Sequence, residues 1–266
     1  MPRAAKAPEP VSAPPPSSPN LFVGTSGWAY PTWKPAFYPP KVPARSFLNY
    51  YGSQLTAVEV NYTFRALPTS TQLENWQAAV PSGFRFSFKA PQRITHFARL
   101  RDCEPLVQSF LGALAPMRAG GLGPLLFQLP PNLQVNRDLL ARFLELPAFR
   151  HAHVQIAFEF RHQSWFTDEI FSLMRDHNAA LCVAESDSLA TPDIQTASCR
   201  CYRLRRSGYT EAELATLAER FVSLAHDGEV FVFLKHEDEP TGALNAIQLQ
   251  QRAAELSSRT SRGANG

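Results

Sequence analysis

A membrane-spanning helix needs about 18 or more consecutive apolar residues, and no run in this 266-residue chain comes near that. The amino terminus has no apolar core of the kind a secretory signal carries, so the sequence reads as a protein of the cytoplasm, without a membrane. Cysteine is scarce. The four present, Cys103, Cys182, Cys199 and Cys201, form no C-x-x-C pair, which argues against structural zinc. Cys199 and Cys201 share one face of a strand and are poorly placed to bond each other, so free thiols are expected. Excess charge is also missing. A formal net charge of +3 and a pI near 8.7 fall short of a dedicated nucleic-acid binder, and any partner must be argued from local charge placement. No G-x-G-x-x-G follows the first strand-like run, and "GTSGW" is a poor substitute, which weakens a dinucleotide-binding reading.

What is present is a regular alternation. Residues 1–20 hold seven of the 23 prolines and no periodic apolar pattern, so they read as a disordered tail; residues 257–266 read as a second one. Between them, within a single domain over 21–256, strand patterns occur at Phe22–Trp28, Ala57–Phe64, Arg85–Ala90, Pro124–Leu129, Val154–Arg161, Ala180–Glu185, Cys199–Leu204 and Glu229–Lys235. Helical patterns fall at Arg45–Leu55, Ser70–Ala79, Glu104–Met117, Arg137–Leu144, Asp168–His177, Glu211–Ala225 and Gly242–Leu256, with Thr167 and Thr210 placed as caps. Eight strands separated by helices predict a TIM-barrel-like (β/α)8 fold. The connection "SDSLATPDIQTAS" is too short and too polar for an ordinary crossover helix, so the barrel is expected to be distorted, with the helix between strands six and seven reduced or missing.

Side-chain alternation then sorts each strand into two faces. In "FEFRH", Phe158 and Phe160 oppose Glu159 and Arg161; in "AVEVNYTF", Val58 and Val60 oppose Glu59 and Asn61. By the same parity Lys89, Gln128, Arg203 and Lys235 stand at strand ends on the polar side, with Glu237 two positions beyond Lys235. In a barrel these faces converge on the mouth formed by the C-terminal strand ends. An enclosed charge costs several kcal/mol unless paired, and an apolar substitute for a buried ion pair is often no worse, so stability alone is a weak reason for such a mouth. A ligand is a stronger one. The bland alternatives are an intrabarrel ion pair for Glu159 and Arg161, a solvent-reaching lysine for Lys89, a loop contact for His96, packing for His162 and His236, which fall on the opposite parity, and loop packing for Trp28, Trp33 and Tyr38.

The blocks "VGTSGWAYPTWKPAFYP", "VEVNYTF", "FSFKAPQRITH", "LLFQLPP", "FEFRHQSW", "YRLRRSGYTEAEL" and "VFLKHEDEPTGALNA", in that order and over about residues 21–250, resemble the DUF72 (YecE-like, UPF0759) family. The resemblance implies a TIM-barrel-like fold and the motif residues Trp28, Glu59, Asn61, Lys89, Thr95, His96, Gln128, Glu159, Arg161, His162, Trp165, Arg203, Tyr209 and Asn245, but no reaction. Many members read Arg-Leu-His-Gly where this chain has Arg203-Leu204-Arg205-Arg206, which removes a histidine and makes the spot more basic.

The expected function is a hydrolase, lyase or isomerase acting on a small anionic, phosphorylated or sugar-like substrate at the barrel mouth. Glu59, Glu159, Lys89 and His96 are the catalytic candidates. Trp28, Asn61, Gln128, Arg161, His162, Trp165, Arg203, Tyr209 and Lys235 are the binding candidates. Glu59 and Glu159, on opposite sides of the barrel, are expected to face a substrate between them, with the pKa of one raised by the other. No cofactor is expected. A divalent metal held by Glu59, Glu159, His96, Asp187 or Glu237 is a second arrangement, against which the neighbouring cations argue. The other classes are a nucleic-acid binding or processing module, for which exposed aromatics beside basic residues are suited, and a non-catalytic ligand sensor.

Overall fold

The structure, a computed structural model, describes residues 18–117, 121–185, 189–206, 208–235 and 239–263; Asp187, His236 and Glu237 lie outside it. Eight parallel strands run in the order β3-β2-β1-β8-β7-β6-β5-β4. They are β1 Leu21–Ser26, β2 Ala57–Val60, β3 Arg85–Phe88, β4 Leu125–Gln128, β5 Ile156–Glu159, β6 Ala179–Ala184, β7 Cys199–Leu204 and β8 Glu229–Leu234. The two ends of this sheet, β3 and β4, meet through bridges at Phe86–Leu122 and Lys89–Leu126, so the sheet rolls into a nearly closed barrel. Helices α1 Phe47–Gln54, α2 Ser70–Ala78, α3 Glu104–Ala113, α4 Arg137–Leu144, α5 Pro147–Ala152, α6 Asp168–Asp176, α7 Glu211–Leu224 and α8 Thr241–Gly263 lie between and after the strands.

Local chemistry accounts for where these elements start. Thr210 accepts from the Glu213 amide while the Glu213 carboxylate accepts from the Thr210 amide, a reciprocal cap repeated by Thr69 and Gln72. Thr167 caps α6 through the Ile170 amide, as its position before "DEIF" predicts. Among the described residues no helix stands between β6 and β7. Side chains hold that connection instead: Thr196 Oγ1 donates to the Ala179 carbonyl at 2.7 Å and accepts from the Leu181 amide at 2.8 Å. Except for β7, which keeps its expected range, the strands end earlier than their apolar patterns, because the chain turns away at the mouth; Asn61 already leaves β2 and Tyr62–Phe64 form a 3-10 turn. Helix α8 runs on to Gly263, past the Leu256 end that its pattern predicts.

Inside the lower barrel, Phe22, Leu126, Phe231 and Phe233 fill space against the small side chains Ala57, Ala157, Ala180, Cys182, Cys199 and Cys201. All four cysteines are free and buried, with Cys182 and Cys201 sulfurs 3.6 Å apart. Outside the strands, the opposite parity (Val58, Val60, Phe86, Phe88, Phe127, Phe158) packs in the main core beneath the helices. Gly24 is required by contact, since a Cβ there would sit 1.9 Å from the Ala57 carbonyl oxygen.

Candidate functional site

One step above that hydrocarbon layer the inward parity turns ionic. Glu59 and Glu159 are 0% exposed and Arg203 1%, so all three charges are out of water. Arg203 lies between the two carboxylates: Nη2 donates to Glu59 Oε1 at 2.7 Å and Nη1 to Glu159 Oε2. The space expected for a substrate between Glu59 and Glu159 is therefore spanned by a guanidinium. Ser26 Oγ donates to Glu59 Oε1 at 2.8 Å. Glu159 Oε1 accepts from Arg161 at 2.6 Å and from Arg205 at 2.9 Å. Burial alone would raise the Glu159 carboxyl, but Arg203, Arg205 and Arg161 outweigh it and hold the pKa at about 2. Glu159 is therefore not a carboxyl whose pKa the other one raises: the guanidinium between them, with Arg205 and Arg161, pulls it the opposite way. Arg203 answers in kind, since burial opposes its charge and the two carboxylates more than restore it.

Lys89 enters the mouth from the other side. Its Nζ donates to Gln128 Oε1 at 2.8 Å and sits 4.3 Å from the Phe64 ring centroid. Thr63 fixes the strand end beneath it, donating to the Lys89 carbonyl at 2.6 Å. Burial and then Arg203 lower the Lys89 pKa to about 8, with Lys235 pushing the same way and Glu59 and Glu159 opposing. His96 follows on a π-helical turn, Arg93–Phe97, a geometry often found at functional sites. Its ring packs edge-on against Phe64 at 5.1 Å, and Nδ1 is 2.9 Å from Thr95 Oγ1. Burial, then Lys89 and Arg99, lowers its pKa.

The remaining candidates divide. Asn61 stands at the end of β2 with its Oδ1 buried and unpartnered, and Asn245, near the start of α8, is in the same condition at Nδ2. Three further buried atoms lack partners within the ionic network: Glu59 Oε2, Arg203 Nε and Arg205 Nε. Tyr209 donates to Glu185, whose Oε2 also accepts from the amides of Arg205, at 2.8 Å, and Arg206. Trp165 is core: fully buried, stacked on Phe160 at 4.6 Å, its Nε1 donating to the Leu133 carbonyl. Trp28 turns off β1 at Gly27, whose φ is 88°, and packs edge-on against Trp76 at 5.2 Å. His162 Nδ1 accepts from the Ser164 amide and caps the Gln163–Trp165 turn. Trp33 and Tyr38 are buried in the loop packing after β1.

A cavity of about 560 Å³ opens on this face, lined by Arg161, Arg205, Arg206, Glu185 and Thr191 among others. Sequence parity alone left out Ser26, Thr63, Phe64, Glu185 and Arg205. Arg205 continues the inward series Cys199-Cys201-Arg203, so its signal was present; Glu185 and Phe64 act through turns that alternation does not describe. Among the described residues no three His, Cys, Asp or Glu side chains gather as a metal would require, and the carboxylates Glu59 and Glu159 are held by guanidiniums. Nor is any helix there long and apolar enough to cross a membrane.

Comparison with known proteins places this barrel. A DUF72 family protein of Thermotoga maritima, known from a crystal structure, superposes with a TM-score of 0.74 at 26% identity, over 87% of this chain and 98% of that one. One from Enterococcus faecalis, 20% identical, shares the fold with a TM-score of 0.72, over 88% and 95% of the two chains. UPF0759 protein YunF of Bacillus subtilis is 28% identical over 57% of this chain and 54% of its own length. UPF0759 protein YecE of Escherichia coli K12 is 31% identical over 49% and 42%. The chain thus spans about half the length of the curated relatives it matches. The family model described as "Protein of unknown function DUF72" matches residues 22–264, and the chain belongs to the DUF72 family.

Proposed function

We propose that this barrel is an enzyme, a hydrolase, lyase or isomerase, acting on a small anionic substrate, phosphorylated, carboxylated or sugar-like, at its C-terminal face. One observation carries the reading: Arg161 and Arg205, which line the cavity together with Arg206, are held from beneath by Glu159 of the buried Glu59–Arg203–Glu159 array. Five cations (Lys89, Arg161, Arg203, Arg205, Lys235) share the mouth with three carboxylates (Glu59, Glu159, Glu185), and arginine offers a paired-donor fit to phosphate or carboxylate. Glu59 Oε2, Arg203 Nε and Arg205 Nε need complements that polar groups of a ligand supply. Glu159, ionised at any ordinary pH, serves to aim the arginines; proton movement falls to Lys89 and His96.

The test is a titration with inorganic phosphate against chloride at equal ionic strength. Phosphate is expected to raise the unfolding temperature, by linkage of about 2.7 kcal/mol at a hundred times its Kd, and Arg205→Gln to weaken that rise. Equal curves in both salts would end this reading. A second reading, a nucleic-acid surface, draws on Phe97 and Tyr62, 71% and 50% exposed, beside Arg65, Arg93 and Arg99. Single-stranded DNA binding that falls steeply with salt and is lost in Phe97→Ala would favour it.

A further inference from the structure

The chain uses lysine sparingly. Of 26 basic Lys and Arg residues only five are lysines, Lys6, Lys34, Lys41, Lys89 and Lys235, and two of these five stand at strand ends of the mouth. Every cation that touches Glu159 is an arginine. The distinction is chemical: a guanidinium cannot give up its proton in a protein, whereas an amine can, and only the neutral amine is a nucleophile.

The surroundings of Lys89 suit that use. Its nitrogen is hydrogen-bonded to a neutral amide, Gln128 Oε1, and not to a carboxylate that would hold it protonated. Phe64 covers it on one side. The charged groups facing it are Arg203 from β7 and Lys235 from β8, with Glu59 from β2 and Glu159 from β5 opposing them, and His96 shares the Phe64 ring. Glu159 is bound by three arginines, and Glu59 Oε1 by Arg203 and Ser26, so neither makes a hydrogen bond to Lys89. Thr63, fully buried, locks the Lys89 backbone. This is a fixed amine, partly desolvated, beside a permanent guanidinium: the arrangement that activates a lysine for covalent work.

We propose that Lys89 condenses with the aldehyde or ketone group of an anionic substrate to form an imine, which narrows the reaction class to lyases or isomerases of carbonyl compounds. The inference rests on the reading of the mouth as an anion site, with the arginines of β5 and β7 seating the phosphate or carboxylate. The neutral Lys89 Nζ attacks the carbonyl carbon, and a proton passes from nitrogen to the carbonyl oxygen, giving a carbinolamine. A proton taken from solvent by way of His96 passes to the carbinolamine oxygen, which leaves as water while the nitrogen lone pair forms the double bond, giving the protonated imine. No oxidant or reductant takes part.

The test is trapping by sodium cyanoborohydride, which reduces an imine to a stable secondary amine read by peptide mass spectrometry. The probes are glyoxylate, pyruvate, dihydroxyacetone phosphate and neutral dihydroxyacetone. Lys89 is expected to be labelled about tenfold or more over Lys34 and Lys41, because near neutral pH it holds on the order of a hundred times more neutral amine than an ordinary lysine. The excess is expected to vanish in urea and in Lys89→Arg, and the phosphate ester to label faster than dihydroxyacetone. Stabilisation by inorganic phosphate without selective labelling overturns the imine and leaves the anion site standing. Equal labelling by dihydroxyacetone and its phosphate, with no stabilisation by phosphate, overturns the anion site and with it the substrate class named here.

Discussion

On the β5–β7 side of the mouth three guanidiniums converge on one carboxylate, Glu159; on the β3–β4 side a single ammonium, Lys89, meets an amide. Both sides present inward cations from strand ends of one parity, and both are enclosed. The difference is the partner. Opposite charge in an enclosed place fixes the ionised form of both groups; a neutral partner leaves desolvation uncompensated and loosens the proton. So the arginine side is built to hold a charge pattern in place, and the lysine side to let one change. A hydrocarbon layer of Phe22, Phe231 and Phe233 supports both and supplies the burial that such ionic groups do not.

The sharpest way to break this comparison is to make the same cut on each side. Arg203→Met leaves Glu59 and Glu159 buried without their shared cation and is expected to destabilise the fold by about 3–5 kcal/mol. Lys89→Met, which removes a cation that burial disfavours, is expected to cost nothing or to stabilise slightly. Urea denaturation at pH 7 measures both, and equal losses would mean that Lys89 is as firmly paired as Arg203.

A somewhat smaller effect appears in acid. The Glu159 pKa of about 2 lies below the ordinary 4.5, so the stabilisation it gives is complete above about pH 4.5 and is lost as pH falls through 2. Linkage makes that loss about 3 kcal/mol. Glu159→Gln, already less stable at pH 7 because its arginines lose their counter-charge, is expected to show a flatter stability curve between pH 4.5 and 2. Parallel curves for the two proteins would place the acid sensitivity elsewhere.

How far these contrasts were legible in the sequence follows from what alternation encodes. Period two marks which residues of a strand face inward, and by itself it brings Glu59, Lys89, Gln128, Glu159, Arg161 and Arg203 to one mouth. It carries no information about which neighbour each will meet. Arg203 and Glu59 are 144 positions apart, and only barrel closure puts a guanidinium where a substrate was expected. Trp165 belongs to the same sequence block, "FEFRHQSW", as Glu159, yet its Nε1 is satisfied by the Leu133 carbonyl inside the core, a contact fixed by a turn. That the described residues before β7 hold no crossover helix was readable because composition reports helix-breaking directly, whereas α5, six residues in a loop, left no period to detect.

The subtlest difference between the two sides is one atom, and exchanging it is the finest test. Gln128→Glu replaces the amide oxygen, 2.8 Å from Lys89 Nζ, with a carboxylate in nearly the same volume. If a neutral partner is what keeps Lys89 near 8, the new charge should raise its pKa by about one unit or more, as a close opposite charge does. Each unit removes about nine-tenths of the neutral amine present below the midpoint. Reaction of Lys89 with cyanoborohydride and pyruvate at pH 7.5 should therefore fall in step with the midpoint, while the unfolding temperature holds or rises, since a salt bridge has replaced a weaker bond. A midpoint that stays near 8 would assign the low pKa to Arg203 and burial alone, and the two sides would then differ in enclosure and not in partner.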